Sequence, residues 1–365
     1  MKNAEWKGFF MENKIKELQK KLPCGTESFI SLDEKTVLYL TGFTMNDGAL
    51  FVTRDDAVLF VDFRYIEAAN EEAKNCRVVM PEKNFYEEIR GIMAERGIKT
   101  LGFEENKTTV ALLERQKKLL PDAEFVKCGE VITKMAEIKS EYELDLIAAA
   151  ESIGDAAFAD VLPRITPDMT EIDVALELEF AMRKRGAQGL SFPTISVSGT
   201  ASSRPHGEPR NVKLERGFLT MDFGCVYKGY CSDMTRTVCL GAPDAEMKNV
   251  YDTVLRAQLA AIDYLTAGGR DAGEADAAAR DLINEAGYAG KFGHSLGHSL
   301  GIYIHESPRL SSRSFGQKLT TGHVFSVEPG IYLEGKYGVR IEDVLAIRES
   351  GVVNFTKSPK ELIVI

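Results

Sequence analysis

Four carboxylates and one histidine in the second half of the chain stand in segments that could together bind metal ions. They are Asp222 in MDFG, Asp233 in CSDMTRT, His298 in GHSLGHSLG, Glu328 in SVEPG and Glu342 in VRIED. An oxygen-rich set without cysteine suits divalent cations such as Mn²⁺, Co²⁺ or Fe²⁺, and Zn²⁺ is also compatible. Four carboxylates balance two such ions, and a hydroxide shared by two ions is a nucleophile near neutral pH. The pattern therefore predicts a metallohydrolase.

The first two carboxylates lie in segments with strand patterns. Residues 218–224 alternate between apolar side chains on one face and Asp222 on the other, and residues 229–240 are β-prone. A hairpin with Tyr227-Lys228 at its tip would place Asp222 opposite Asp233, with Cβ atoms about 4.5–5.5 Å apart. Facing carboxylates repel each other, and a cation between them removes that repulsion. Two solvated aspartates on an exposed sheet face are the alternative.

The two glutamates also lie in β-prone segments. Pro329-Gly330 follows Glu328 and predicts a break or bulge, a feature that is frequent beside active sites. In the segment 339–347, Arg340 and Glu342 share one face, so that Arg340 could hold a carboxylate in place. A surface strand with a neighbouring ion pair is the alternative for this segment.

Three of the five histidines in the chain fall close together, at His294, His298 and His305. His294 and His298 have helical i, i+4 spacing, but the glycines around them argue against a helix. Ser295 after His294 excludes the HExxH zinc signature. A Gly-rich loop with incidental histidines is the alternative, which a group of three just before Glu306 disfavours.

Taken together, these segments resemble the pita-bread metallopeptidases, which include methionine aminopeptidase, Xaa-Pro aminopeptidase and Xaa-Pro dipeptidase (prolidase). The resemblance covers nearly the whole chain and includes SVSGTASSRPHGEPRN, which carries His206. It implies two divalent ions per chain, Mn²⁺ first and Co²⁺, Zn²⁺ or Fe²⁺ as alternatives. The metal ligands would be Asp222, Asp233, His298, Glu328 and Glu342. The expected catalytic residues are His206, His305 and Glu328, and the expected substrate-binding residues are His206, His294, His305 and Arg340.

The N-terminal part of the chain separates the members of this family. LYLTGF and FRYIEAA resemble the N-terminal domain of Xaa-Pro aminopeptidases and prolidases, whereas methionine aminopeptidases are mostly a catalytic domain alone. The resemblance implies a creatinase-like α/β domain over residues 1–132 and a pita-bread catalytic domain over residues 133–365. It also implies a homodimer in which the N-terminal domain meets its partner.

The function implied is hydrolysis of the Xaa-Pro bond at the N-terminus of a peptide by a hydroxide that bridges two metal ions. Xaa-Pro aminopeptidase is the first reading and Xaa-Pro dipeptidase is the alternative. An inactive pita-bread domain that binds peptides and a metal-free amidinohydrolase of the creatinase type are further alternatives. The complete ligand set disfavours both.

Composition agrees with a two-domain enzyme. The chain has 365 residues, of which 44% are hydrophobic and 27% charged. Its formal charge of −10 disfavours nucleic acid or an anionic membrane as a partner. Six cysteines without CxxC spacing indicate reduced thiols in the cytoplasm. No signal peptide and no transmembrane helix are expected.

The predicted elements form an α+β fold with an antiparallel sheet that carries the ligands and helices that cover its back. In the N-terminal part, β-prone runs at 37–40, 50–53 and 58–61 alternate with helical stretches. Later, a capping box at Ser140 and Glu143 predicts a helix through residue 159. Thr170 predicts a second helix that ends at Gly186, with Ile172, Leu176 and Phe180 on one face. Two further helices are predicted over residues 244–265 and 272–286.

Overall fold

The computed structural model describes residues 13–365, which form two compact units. The first unit ends at Ala136 and the second comprises Glu137–Ile365. The boundary expected at 132/133 lies inside the helix Gly129–Glu137. Residues 1–12, on which the expectation of no signal peptide rests, lie outside the described residues. Over the described range, no helix is long and apolar enough to cross a membrane.

The first unit is built on a six-stranded mixed sheet of order β4-β3-β2-β1-β5-β6. The three strands β3, β2 and β1 pair antiparallel, while β3–β4, β1–β5 and β5–β6 are parallel. Its elements are α1 Lys14–Lys21, β1 Ser28–Ser31, α2 Glu34–Thr41, β2 Gly48–Thr53, β3 Ala57–Val61, α3 Ile66–Glu72, β4 Arg77–Val79, α4 Phe85–Arg96, β5 Thr100–Phe103, α5 Val110–Leu119, β6 Glu124–Lys127 and α6 Gly129–Glu137.

The β-prone run at 37–40 is helical in the structure, so this expectation is wrong. The run lies in α2, where the side chain of Asp33 accepts a hydrogen bond from the Thr36 N–H at 2.9 Å and caps the helix. Gly42 ends it in the left-handed conformation, with φ of 75°. These two caps satisfy end groups of the helix and override the strand propensity of the residues between them.

A buried carboxyl lies where β1, α2 and β5 meet in the first unit. Glu104 is 3% exposed and accepts hydrogen bonds from the hydroxyls of Ser31 and Thr36, the latter at 2.7 Å. Burial is the main cause that raises the pKa of Glu104 from 4.5 to about 7. The folded unit therefore favours the protonated carboxyl.

We expect the stability of the first unit to fall as the pH rises from 4.5 to 7. In that window the unfolded chain has already lost the Glu104 proton, whereas the folded unit still holds it. Glu104→Gln should remove about 3 kcal/mol of this pH dependence, because one pKa unit corresponds to about 1.4 kcal/mol. Hydrogen exchange of the β1 and β5 amides at pH 5 and 8 measures the pH dependence of the stability of the first unit. Glu88→Gln, on the exposed side of α4, is the control, and equal pH dependence in both variants would contradict the prediction.

The second unit combines small antiparallel sheets with two pairs of helices, as the α+β prediction requires. The sheet orders are β12-β9-β8, β11-β10-β7, β13-β14, β15-β18-β19 and β16-β17. The elements are α7 Glu141–Val161, α8 Glu171–Lys184, β7 Gly189–Leu190, β8 Ile195–Ser198, β9 Gly217–Phe223, β10 Cys225–Tyr227, β11 Tyr230–Cys231, β12 Met234–Leu240, α9 Ala245–Thr266, α10 Ala272–Ile283, β13 Gly297–Ser299, β14 Glu306–Leu310, β15 Val324–Val327, β16 Gly330–Leu333, β17 Tyr337–Arg340, β18 Asp343–Arg348 and β19 Gly351–Asn354.

The helices pack in pairs against the strands that carry the predicted ligands. α7 and α8 cover the apolar face of β9, which consists of Leu219, Met221 and Phe223. α9 and α10 pack with β15 and β18 in a second core cluster. The capping box that opens α7 at Ser140 is present, and Thr170 caps α8 in the same way. Hydrophobic burial thus holds one face of β9 against α7 and α8 and leaves its other face available for polar side chains.

The face of α8 marked by Ile172, Leu176 and Phe180 is exposed rather than packed. Leu176 and Phe180 are 56% and 59% exposed. The helix instead buries Val174, Leu178 and Met182. Both stripes have helical spacing, so the sequence alone does not say which of them faces the core.

Candidate metal centre

The hairpin of β9 to β12 presents Asp222 and Asp233, but in a different register from the predicted one. Asp222 pairs with Thr235, so that Asp233 is its diagonal neighbour and not its direct partner. The tip is Lys228-Gly229, where φ is 48° and 85°. Positive φ at both central residues is the mark of the tight turn that matches the strand twist, and glycine favours it. The predicted tip was therefore one residue too early and the pairing two residues out.

His298 lies on β13 with one ring nitrogen directed at carboxylates. Its Nδ1 lies 3.1 Å from the backbone oxygen of Ser299, which can only accept, so that Nδ1 carries the proton. Nε2 is left with a lone pair and lies 3.5 Å from Asp233 Oδ2 and 3.5 Å from Glu328 Oε1. A backbone partner on one ring nitrogen and a bare second nitrogen is the usual arrangement of a metal-binding histidine.

The two glutamates lie at breaks between strands. Glu328 follows β15, and Pro329 separates it from β16, as the sequence predicted. Glu342 lies between β17 and β18, where the predicted continuous strand over 339–347 is interrupted. The hydroxyl of Ser326 donates to Glu328 Oε1 at 3.0 Å and accepts from the His298 backbone N–H at 3.1 Å, which connects the Glu328 side chain to the backbone of His298.

Donor atoms of Asp233, His298 and Glu342 lie within 4.8 Å of one another. Burial raises the pKa of Asp233 and Glu342 well above the usual range, and the carboxylates around them raise it further. Asp222 Oδ1 is buried and has no hydrogen-bond partner among the described residues. A crowded group of carboxylates with an unpartnered oxygen is unfavourable without a cation. The residues therefore fit divalent metal ions.

Arg340 connects these carboxylates to one another. Its Nη2 donates to Asp222 Oδ2 at 2.6 Å and its Nε donates to the Thr235 hydroxyl at 2.9 Å. Thr235 in turn donates to Glu342 Oε2 at 2.8 Å. Nη1 donates to the Tyr332 hydroxyl at 2.9 Å. With its donors engaged inside the protein, Arg340 is placed to orient the carboxylates, and direct contact with substrate stays a prediction.

His294 lies beside the carboxylates and is held in a single tautomer. Its Nδ1 donates to the Ser295 carbonyl at 2.9 Å, and its Nε2 accepts from the Tyr332 hydroxyl at 3.0 Å. Nδ1 lies 4.0 Å from Glu328 Oε2. Burial lowers the pKa of His294 to about 4, so that the ring is neutral at pH 7.

His305 and His206 are both exposed, unlike the buried carboxylates and His298. The His305 ring lies 4.4 Å from the His298 ring, edge to face. Burial of ring atoms is the main cause that lowers the pKa of His305 to about 4. A charge on His206 would lower the pKa of His294, His305 and Glu328 further. The structure thus places Arg340, His294 and His305 close to the predicted ligands, and Arg340 also contacts the carbonyl of Pro205, the residue before His206.

Two buried residues that the sequence analysis missed support the ligand segments. Arg236 is 1% exposed and donates to the carbonyls of Thr235 and Glu342 at 2.9 and 2.6 Å and to Asp343 Oδ1 at 2.8 Å. Glu151 of α7 is fully buried and accepts from the Asp233 N–H at 2.7 Å. From the sequence alone, both side chains are expected to be solvated charges. The one signal for Arg236 is its place three residues after Asp233, in the segment SDMTRT.

Comparison with known proteins agrees with this geometry. Residues 145–349 match the model of metallopeptidase family M24, and residues 15–138 match the creatinase/prolidase N-terminal domain. An uncharacterized peptidase, YqhT, of Bacillus subtilis is 41% identical over 93% of this chain and 96% of its own length. A Pyrococcus horikoshii protein named Xaa-Pro dipeptidase is 37% identical over 90% of this chain and 92% of its own length.

A solved structure has the same fold over nearly its whole length. The X-Pro aminopeptidase from Thermotoga maritima superposes with a TM-score of 0.89 and 34% identity, covering 95% of this chain and 99% of that one. The predicted resemblance to the pita-bread metallopeptidases and the predicted fold class are confirmed. The chain therefore belongs to metallopeptidase family M24 and carries a creatinase/prolidase N-terminal domain.

Proposed function

We propose that this metallo-exopeptidase hydrolyses the bond before proline at the N-terminus of peptides, as an Xaa-Pro aminopeptidase. The observation that carries the proposal is the buried group of one histidine and several carboxylates inside an M24 domain. Relatives named Xaa-Pro dipeptidase and X-Pro aminopeptidase support proline as the second residue. Hydrolysis of Xaa-Pro dipeptides is the second candidate, favoured by the name of the Pyrococcus horikoshii relative, Xaa-Pro dipeptidase.

The residues that would hold two divalent ions are the five predicted ligands. They are Asp222, Asp233, His298, Glu328 and Glu342. Mn²⁺ is the first choice, with Co²⁺, Zn²⁺ and Fe²⁺ as alternatives. When bound, such ions polarise a carbonyl oxygen and lower the pKa of water.

Glu328 is the residue we assign to proton transfer. Its Oε1 is held by the Ser326 hydroxyl, whereas Oε2 faces the space towards His294. Oε2 would take a proton from the attacking water and pass it to the leaving nitrogen. Burial is the main cause that raises the pKa of Glu328 to about 7 in the protein without metal, and a bound cation would lower it.

His305 and His206 are the candidates that donate to the developing oxyanion. A neutral imidazole offers one N–H, and the low pKa of His305 keeps that ring neutral at pH 7. Donors aimed at the charge of the transition state act on turnover more than on binding.

His206→Ala and His305→Ala should each keep their metal and lose roughly 10²-fold in kcat. Neither residue belongs to the predicted ligand set. Elemental analysis and steady-state kinetics on the same preparations check this. His323→Ala, which changes a buried histidine outside the centre, is the control for loss of an imidazole. Loss of metal from either variant would show that the division into ligands and substrate residues is wrong.

A proline-directed reaction has a chemical rationale at such a site. The Xaa-Pro bond is a tertiary amide and lacks the N–H that many peptidases bind. A metal centre that acts on the carbonyl oxygen and the leaving nitrogen does not depend on that N–H.

The test is a hydrolysis panel with metal-free protein reconstituted with Mn²⁺, Co²⁺ or Zn²⁺. Xaa-Pro-Yaa, Xaa-Pro and Met-Ala-Yaa peptides are compared, each with a free or acetylated N-terminus. Cleavage of Xaa-Pro-Yaa with a free N-terminus is expected. Activity on Xaa-Pro alone would move the function to a dipeptidase, and release of methionine from Met-Ala-Yaa without Xaa-Pro cleavage would overturn the proposal.

A cytoplasmic location and a homodimer stay predictions. The dimer rests on the resemblance, with the N-terminal domain meeting its partner. Light scattering of the protein at micromolar concentration should give twice the chain mass of 40.4 kDa. A single chain mass would contradict the dimer.

A further inference from the structure

His206 is an exposed residue on a partly buried segment whose two ends are close together in space. We call residues 199–209 the His206 loop. It begins after Ser198, the last residue of β8, and leads to Arg210. His206 is exposed, and an exposed side chain on a loop is easily displaced. A displacement of about 1 Å at a catalytic group can cost on the order of 10²-fold in rate, so the loop needs a device that fixes it.

One buried carboxylate holds both ends of this loop. Glu171 is fully buried at the start of α8. At one end it accepts from the Ser198 N–H at 2.7 Å and from the Ser198 hydroxyl at 2.8 Å. At the other end it accepts from the Arg210 N–H at 3.0 Å, Nε at 2.8 Å and Nη2 at 2.6 Å. Five donors converge on two oxygens, which is a saturated, charge-assisted contact.

The charge of Glu171 is maintained by these contacts. Burial alone would raise its pKa, but the hydrogen bonds from Arg210 and Ser198 bring it below the usual range. Glu171 is therefore ionised at pH 7. Its backbone N–H also donates to the Val212 carbonyl at 3.2 Å, so that α8 and the strand-like segment after the loop are joined at the same point.

The interior of the loop is attached to the metal centre itself. Arg340 Nη1 donates to the Pro205 carbonyl at 3.2 Å, and Nη2 of the same guanidinium donates to Asp222. The Ser202 hydroxyl accepts from the Gly338 N–H at 3.0 Å. Pro205, the residue before His206, is thus fixed relative to Asp222, provided that Glu171 keeps its contacts with both ends of the loop.

We propose that Glu171 and Arg210 form a clamp that positions His206 over the substrate carbonyl. Both are positioning residues, because they act through the loop and do not face the carboxylate group of the centre. The inference rests on the proposed function in one respect, namely that His206 acts on the substrate. It predicts that the clamp and His206 contribute to a single effect.

Glu171→Gln tests the clamp with little change in volume. The amide replaces one accepting oxygen with a donor that faces Arg210 and Ser198, and it removes the charge. We expect kcat/KM to fall roughly 10- to 100-fold, mainly through kcat, with metal content unchanged. Glu177→Gln is the matched control, because Glu177 lies on the same helix and pairs with Arg164 at the exposed surface, at 2.5 Å. This variant should stay within about twofold of the wild type.

A double-mutant cycle separates positioning from general stability. In the His206→Ala background, Glu171→Gln should cause little further loss, because the group that it positions is gone. A loss as large as in the wild type would overturn the clamp. If Glu171→Gln does not fold, Arg210→Lys keeps the charge and loses the two-pronged contact. It should show a smaller fall in kcat that also disappears in the His206→Ala background.

The outcomes also separate the clamp from the proposed function. A large effect of His206→Ala with wild-type kcat/KM in both Glu171→Gln and Arg210→Lys refutes the clamp alone. Wild-type kcat in His206→Ala refutes the role of His206 in the proposed function, and the clamp with it.

Discussion

Asp233→Ala should lose bound metal and nearly all turnover. Asp233 contributes an oxygen to the group that also includes His298 and Glu342, and its backbone N–H donates to Glu151, so that the variant removes a ligand from a position that the fold holds in place. Metal ions supply several kcal/mol of transition-state stabilisation, which corresponds to roughly 10³-fold in rate or more. Elemental analysis and kcat on an Xaa-Pro-Yaa peptide measure the two losses.

The control for this variant is Asp168→Ala. Asp168 is an exposed aspartate paired with Lys213 at 2.7 Å, and its removal should leave metal content and kcat unchanged. Activity of the wild type that survives exhaustive chelation, with no metal detected, would contradict the prediction for Asp233 and the metal-dependent mechanism as well.

Arg236→Met should lower the free energy of unfolding of the second unit by about 3–5 kcal/mol. Methionine fills part of the space but removes the guanidinium donors of four carbonyl oxygens, those of Thr235, Glu342, Ser358 and Pro359. Of these, the Thr235 carbonyl keeps a second donor, the Glu342 N–H at 3.1 Å. It also removes the 2.8 Å contact to Asp343, a carboxylate with no exposed side-chain surface. Asp343 keeps Lys360 at 2.8 Å, so that most of the loss comes from the buried carbonyls, which cost more to leave without a donor than a surface pair costs to break.

Lys213→Met is the control, because it breaks an exposed ion pair in the same unit. We expect its free energy of unfolding to change by less than about 1 kcal/mol. Urea unfolding of both variants, followed by a probe in the second unit, gives the comparison. An equal and small effect in the two proteins would show that the Arg236 network does not hold the ligand segments in place.

The predicted donors could be identified from the sequence because their residue types and the breaks in the strands beside them are visible there. Pro329 after Glu328 does end a strand, and the alternation around Asp222 does place the apolar side chains of β9 under α7 and α8. Periodicity and proline position are local signals, and they carry over directly into the fold.

The register of the hairpin is a feature that these local signals do not determine. Alternation is unchanged by a shift of two residues, so both pairings of Asp222 place it on the same face. The turn decides between them, and Lys228-Gly229 forms the turn because glycine adopts positive φ at low cost. A hairpin with Lys228-Gly229 at its tip pairs Asp222 with Thr235, as in the structure.

The supporting charges could not be predicted from local pattern. Arg236 and Asp343 are 107 positions apart, and Arg340 and Asp222 are 118 apart. Glu171 and Arg210 lie on a helix and a loop whose approach depends on the whole second unit. A charged residue in a sequence is usually solvated, and only the three-dimensional contacts show that these are buried and paired.

The long separation of the donors along the chain also sets an order of events in folding. The β9–β12 hairpin closes a short stretch of backbone and can form early, with Asp222 and Asp233 still open to water. Glu342 joins them only when β17 and β18 dock, at a contact 107 positions from Thr235. We therefore expect the mutual repulsion of the carboxylates to slow this docking step. Divalent cations in the refolding medium should speed the final phase of refolding while leaving the early collapse unchanged.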